Sequence, residues 1–228
     1  MKKIITIVLF FIAGSASAQD INAILQKAKA KMETVNDYEA SGRMKTNVAF
    51  LKVPVANVKV YFKKPNRLKV KSEKGISFIP KGAVNINMSN ITGTNKFTVI
   101  DGGTEKLNGQ TLRVARLLPD DENSDMVLST VYVDEATSLI MKARTTTKDN
   151  GTYELEMSYG KFAAYGLPDK IIFSFNTKDY RLPKGVTFDF DDGTSTPTTD
   201  HAKARKGRAE IIFGNYIINK GVSDEVFK

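Results

Sequence analysis

The sequence predicts an α+β protein built on one long antiparallel sheet, and three observations predict it. One stretch near the N-terminus carries apolar residues at helical spacing. Nearly everything after residue 35 alternates apolar and polar with a period of two. Glycine-containing turn pairs separate the alternating runs, which gives consecutive hairpins and no βαβ units.

The first element is a leader. The chain of 228 residues opens MKKIITIVLFFIAGSASAQD: Lys2 and Lys3, an apolar run from Ile4 to Ala13, then Ala16-Ser17-Ala18. That order of charge, apolar core and small residues is a secretory signal, with cleavage expected after Ala18. A membrane span needs roughly 20 apolar residues, and this run is about half that. The expected organisation is therefore a leader over 1–18 and a single domain over 19–228. The expected location is the periplasm.

Composition narrows the function. There is no Cys, which removes thiol chemistry, Cys-based metal sites and the acylation site of a lipoprotein. About 210 residues bury enough apolar surface to fold without disulfides. The formal charge is +9, and losing Lys2 and Lys3 with the leader takes it to +7. A basic exported chain suits anionic lipid headgroups or acidic partners through a basic face, or simply solubility. Nucleic acid is not an expected partner in that compartment. A monomer is expected.

The helix follows. In DINAILQKAKAKMETV, Asp20 is the N-cap, and Ile21, Ile24, Leu25, Ala28 and Met32 share one face. The period then changes. Tyr38, Ala40, Met44, Val48 and Phe50 alternate with polar residues, Val58, Val60 and Phe62 continue after Pro54, and Leu68 and Val70 follow Pro65. In KVYFKKPNRLKVKSEKG, Lys59, Lys63, Arg67, Lys69 and Lys71 oppose Val60, Phe62, Leu68 and Val70. Further strands are predicted at Phe97–Asp101, Gln110–Leu117, Val127–Val133, Leu139–Thr147, Thr152–Tyr159, Lys170–Asn176 and Ala209–Asn219. Asp101-Gly102-Gly103, Asn108-Gly109 and Asn150-Gly151 supply tight turns, and Asp134-Glu135-Ala136-Thr137 a longer one.

Two segments break the alternation. Gly75–Asn95 mixes apolar residues, among them Ile76, Phe78 and Ile79, with asparagines. Asp189–Arg208 is a polar loop. Loops of this length are either functional or disordered.

Catalytic chemistry finds no foothold. His201 is the single histidine and sits in the polar loop beside Lys203, Arg205 and Lys206. A triad or a zinc site needs more than that. Asp189-Phe190-Asp191-Asp192-Gly193 misses the calcium-loop register, because the glycine falls at position five, not six. Glu154 and Glu156 share a strand face opposite Tyr153, Leu155 and Met157. No phosphate loop or nucleotide fingerprint is present. No enzyme and no cofactor is expected.

The informative feature is the amount of apolar sheet surface. Met44, Val48, Val58, Val60, Phe62, Leu68, Phe97, Met141, Leu155, Met157, Phe173 and Phe175 fall on one face, as do Phe50 and Tyr153. One helix of about 15 residues is roughly 22 Å long, whereas nine or more strands span about 40 Å. Either the sheet curls on itself, or Gly75–Asn95 joins the helix as a cover, or both. These residues then line a ligand cavity or form a filled core.

Several short motifs resemble those of the LolA-type lipoprotein carriers and their LppX and RseB relatives. They are Tyr61-Phe62-Lys63-Lys64-Pro65-Asn66-Arg67-Leu68, Val131-Tyr132-Val133-Asp134 with Thr137, Tyr165-Gly166-Leu167-Pro168-Asp169-Lys170-Ile171, and Asn215-Tyr216-Ile217-Ile218-Asn219 with Val226-Phe227. The resemblance implies an incomplete antiparallel β-barrel whose concave face, covered by the N-terminal helix and a lid segment, holds lipoprotein or lipid acyl chains for delivery toward the outer membrane. RseB-type relatives imply the alternative of a non-catalytic envelope sensor. The resemblance also implies a lid latch at Lys64, with Ile76, Phe78 and Ile79 in the lid. Family members usually carry Arg at the latch position. Lys offers a point charge there, not a planar fork. The chain also has no Trp at the family's aromatic positions.

Overall fold

The computed structural model describes residues 20–48, 51–52, 55–65, 67–72, 97–149, 151–176 and 206–228. The leader, the segment carrying Ile76, Phe78 and Ile79, the acidic run at Asp189 and His201 lie outside the described residues, as does the side chain of Val48.

The helix α1 (Ile21–Glu33) starts where the N-cap places it, with the Asp20 carboxylate accepting from the Asn22 N–H at 3.1 Å. Ile21, Ile24, Leu25 and Ala28 are its buried face, while Met32 is half-buried. The strands follow in chain order: β1 (Asp37–Val48), β2 (Leu51–Lys52), β3 (Ala56–Lys63), β4 (Arg67–Ser72), β5 (Phe97–Leu107), β6 (Gln110–Pro119), β7 (Met126–Asp134), β8 (Leu139–Thr147), β9 (Gly151–Ser158), β10 (Lys170–Asn176) and β11 (Lys206–Ile218).

They form one curved antiparallel sheet in the order β4-β3-β1-β11-β10-β9-β8-β7-β6-β5, with the short β2 attached to β1. From β5 to β10 each strand pairs with the next, as consecutive hairpins require. The outer strands β4 and β5 do not pair with each other among the described residues, so the sheet is an open half-barrel. The Asn108-Gly109 turn forms as predicted, with φ of 50° and 84°. That is the positive-φ pair a two-residue hairpin loop demands.

Asp101-Gly102-Gly103 is not a turn. β5 runs through it, and the β5–β6 pairing shifts between Asp101 and Thr104. Gly103 has a φ of 76°, and its N–H donates to Asp101 Oδ1 at 2.8 Å. The motif makes a glycine bulge inside a strand, because the pairing partner continues on β6. A second bulge lies where β11 passes β1. Ser41 faces Asn215, but Gly42 already faces Phe213. A Cβ on Gly42 would sit 2.7 Å from the Ile212 carbonyl oxygen, so the close approach needs glycine.

Candidate ligand-binding face

The pairing register assembles the inner face row by row. Thr46, Ala209, Phe173, Leu155, Ala143, Val131, Ala115 and Asp101 are successive cross-strand partners from β1 to β5. Directly opposed residues share a face, so one row crosses eight strands, apolar over the six from β11 to β6, with the Thr46 hydroxyl at one end and the Asp101 charge at the other. The next row runs from Gly207 through Phe175, Tyr153, Thr145 and Ser129 to Leu117 and Val99. A Cβ on Gly207 would lie 2.3 Å from the Phe175 ring, which therefore lies across a bare backbone.

Two clusters occupy this face. In the larger, the four buried residues of α1 pack on Ala115, Leu117, Val131, Val133, Leu155, Met157, Phe173, Phe175 and Ala209. Phe97, Val99, Tyr153 and Ile171 lean on it while partly exposed. In the smaller, Tyr38, Phe62, Phe162, Phe213 and Tyr216 surround Val60, with Leu68 and Val70 alongside. Its rings sit 4.9–5.4 Å apart, centroid to centroid, the range of favourable aromatic pairs. Burial pushes the Tyr38 and Tyr216 hydroxyls above the usual phenol range, and Tyr216 donates to the Pro168 carbonyl at 2.7 Å. Met44 and Val58 are buried in neither cluster.

Of the sequence-predicted lining, Val60, Phe62 and Leu68 fall in the smaller cluster, and Phe97, Leu155, Met157, Phe173 and Phe175 in or against the larger. Met141 falls in neither. A register shift between Tyr132 and Val133 sends Ile140 into the core in its place. Polar groups on this face are few. Ser129 and Thr145 bond each other at 2.9 Å, and Thr46 Oγ1 is buried without a partner among the described residues. At the rim, Arg113 pairs with Asp101 at 2.6 Å. Periodicity misses this pair because Asp101 reads as the start of a turn and Arg113 only as a position within the strand Gln110–Leu117, with nothing along the chain to bring the two together.

Lys64 lies at the end of α1. Its ammonium donates to the Glu33 carbonyl at 2.6 Å and to Asn36 Oδ1 at 3.3 Å, and its N–H donates to the Asn36 carbonyl at 2.9 Å. A cation there meets an otherwise unpaired carbonyl and the negative end of the helix dipole. Lys64→Met is expected to lower stability by about 1 kcal/mol, read as a fall in urea midpoint with unchanged slope.

On the outer face, Glu154 is paired with Lys142 at 3.3 Å and Arg144 at 3.6 Å. Among the described residues, no three His, Cys, Asp or Glu side chains are grouped to hold a metal, and no helix is long and apolar enough to cross a membrane.

An open, curved antiparallel sheet with one helix on its inner face defines a half-barrel. Solved structures share this fold. A domain from Vibrio parahaemolyticus named for outer membrane lipoprotein sorting superposes with a TM-score of 0.59 at 14% identity, covering 90% of this chain and 95% of its own. A LolA superfamily protein from Nitrosomonas europaea gives 0.58 at 10% identity, over 91% and 96%. A DUF1329 family protein from Desulfovibrio piger gives 0.56 at 14% identity, over 91% and 97%. The chain has the LolA-like fold, as its motifs implied. No family model matches it, and no curated protein matches it in sequence.

Proposed function

We propose that this chain is an exported, non-catalytic carrier of the periplasm. Its inner face holds acyl chains of a lipoprotein or a lipid and delivers them toward the outer membrane. One observation carries the reading: an unbroken apolar row, Ala209 to Ala115, spans six strands of the sheet from β11 to β6, more width than α1 occupies. The helix has 13 residues, about 20 Å of length and 10 Å of width. Ten strands spread over roughly 43 Å. Apolar groups left partly exposed at the cluster margin, such as Phe97 and Val99, favour an apolar guest. The LolA-like fold supports the same reading.

Native mass spectrometry of the purified chain tests it. Acyl species released on denaturation are the expected result. A fluorescent fatty acid should bind the wild type, and Phe97→Asp should weaken it about tenfold or more, since a carboxylate on that face must be desolvated beside the guest. Lys63→Glu, on the outer face, should leave it unchanged. A purified chain with neither bound acyl species nor probe affinity rules the carrier out.

A further inference from the structure

The basic outer face of the β3–β4 hairpin is not bare. After β11, Gly221 turns the chain at a φ of 85°, and its N–H donates to Asp37 Oδ1 at 2.9 Å. Residues Asp224–Phe227 then form a single 3-10 turn, started by Ser223 Oγ accepting from the Glu225 N–H at 3.3 Å. In such a turn, residues three apart eclipse one another. Asp224 and Phe227 are therefore stacked, and both meet Arg67. The Asp224 carboxylate lies 2.8 Å from Arg67 Nη1, and the Arg67 guanidinium carbon lies 5.2 Å from the centre of the Phe227 ring. Lys63 Nζ donates to the same carboxylate at 2.6 Å and to the Val222 carbonyl at 3.0 Å, and Lys69 Nζ donates to the Lys228 carbonyl at 2.6 Å.

The contact is specific but shallow. No residue of the turn is buried, and Asp224 remains 62% exposed. A segment kept only to complete the core would bury an apolar anchor. This one is held by a carboxylate oxygen shared between two cations, a ring on a guanidinium and two main-chain carbonyls, which is the chemistry of peptide recognition. Exposed ion pairs are weak and exchangeable.

We propose that Lys63, Arg67 and Lys69 form a recognition seat for protein segments that carry an acidic residue three positions before an aromatic one in a single turn, and that residues 222–228 are its occupant in cis. A partner segment of the same chemistry binds by displacing them. Tethering gives the cis segment a high effective concentration, so the seat opens to partners only when they present the turn more favourably or when the cis segment is weakened. The hydrogen bond from Lys63, and then the Arg67 and Lys63 charges, hold the Asp224 pKa below its ordinary 3.8. The carboxylate contact is therefore fully present above that ordinary value and is lost as pH falls through the lower folded one.

The test uses the full chain carrying Asp224→Ala and Phe227→Ala, with a labelled peptide of residues 221–228, GVSDEVFK, followed by fluorescence anisotropy. The variant is expected to bind the peptide at least about tenfold tighter than the wild type. Adding Arg67→Glu should abolish that binding, and so should replacing Asp or Phe in the peptide by Ala. Asp224→Ala alone should give an intermediate gain, and unchanged far-UV circular dichroism confirms the fold of each variant. Equal binding to wild type and variant, or none to either, overturns the proposal. A variant that binds phosphatidylglycerol vesicles but not the peptide also overturns it, and assigns the face to a lipid surface.

Discussion

Phe173→Ala is expected to destabilise the folded chain by about 3–5 kcal/mol, the range for emptying a buried aromatic site. Phe173 is 2% exposed and lies within the row that crosses the sheet, between Ala209 and Leu155. Its ring lies 5.4 Å from that of Tyr153 and 5.3 Å from that of Phe175, tilted by 35° to each, and α1 closes over the same cluster. Neighbouring backbone is tied into β9, β10 and β11 ladders, so the site cannot collapse onto the gap. Urea unfolding followed by far-UV circular dichroism measures the loss. A change below about 1 kcal/mol means that the inner face is loosely packed at this point.

Ile24→Asp should have an effect of similar size through a different route. Ile24 is fully buried at the interface of α1 with the sheet. Aspartate there removes a large apolar contact and leaves a carboxylate with no cation among the described members of its cluster, at a cost of about 4 kcal/mol or more. Alone in water, a helix of 13 residues is marginal, so α1 should both detach and fray. The expected readings are lost helical signal, strong binding of a hydrophobic dye to the uncovered inner face, and a strand signal that partly survives. Retained helicity with no dye binding would show that α1 does not owe its place to this contact.

The basic stripe is where function and fold interact most closely. Read along the chain, Lys63, Arg67 and Lys69 form a positive face open to an anionic surface. In the folded chain they grip residues 222–228, so much of that charge is already answered. Any attraction of this face to a membrane or partner is then coupled to the fate of the Asp224 turn.

The sequence alone determined what depends on local order. A period of 3.6 with an Asp cap makes α1, a period of two makes the strands, and Asn108-Gly109 makes a hairpin because its neighbours demand positive φ. The inner identity of Leu155, Phe173 and Phe175 follows from the same alternation. Tertiary structure decided what depends on the neighbouring strand. Strict alternation sets Phe213 and Tyr216 on opposite faces, yet the bulge opposite Gly42 brings both into one aromatic cluster. A register shift likewise chose Ile140 over Met141 for the core, and Asp101-Gly102-Gly103 became a bulge because β6 offered a partner beyond it. The grip of Lys63 on Asp224 joins residues 161 apart in sequence. Periodicity reports only which side a residue takes along its own strand; where a strand gains a residue against its partner, or which distant charge arrives beside it, is set by packing across the sheet.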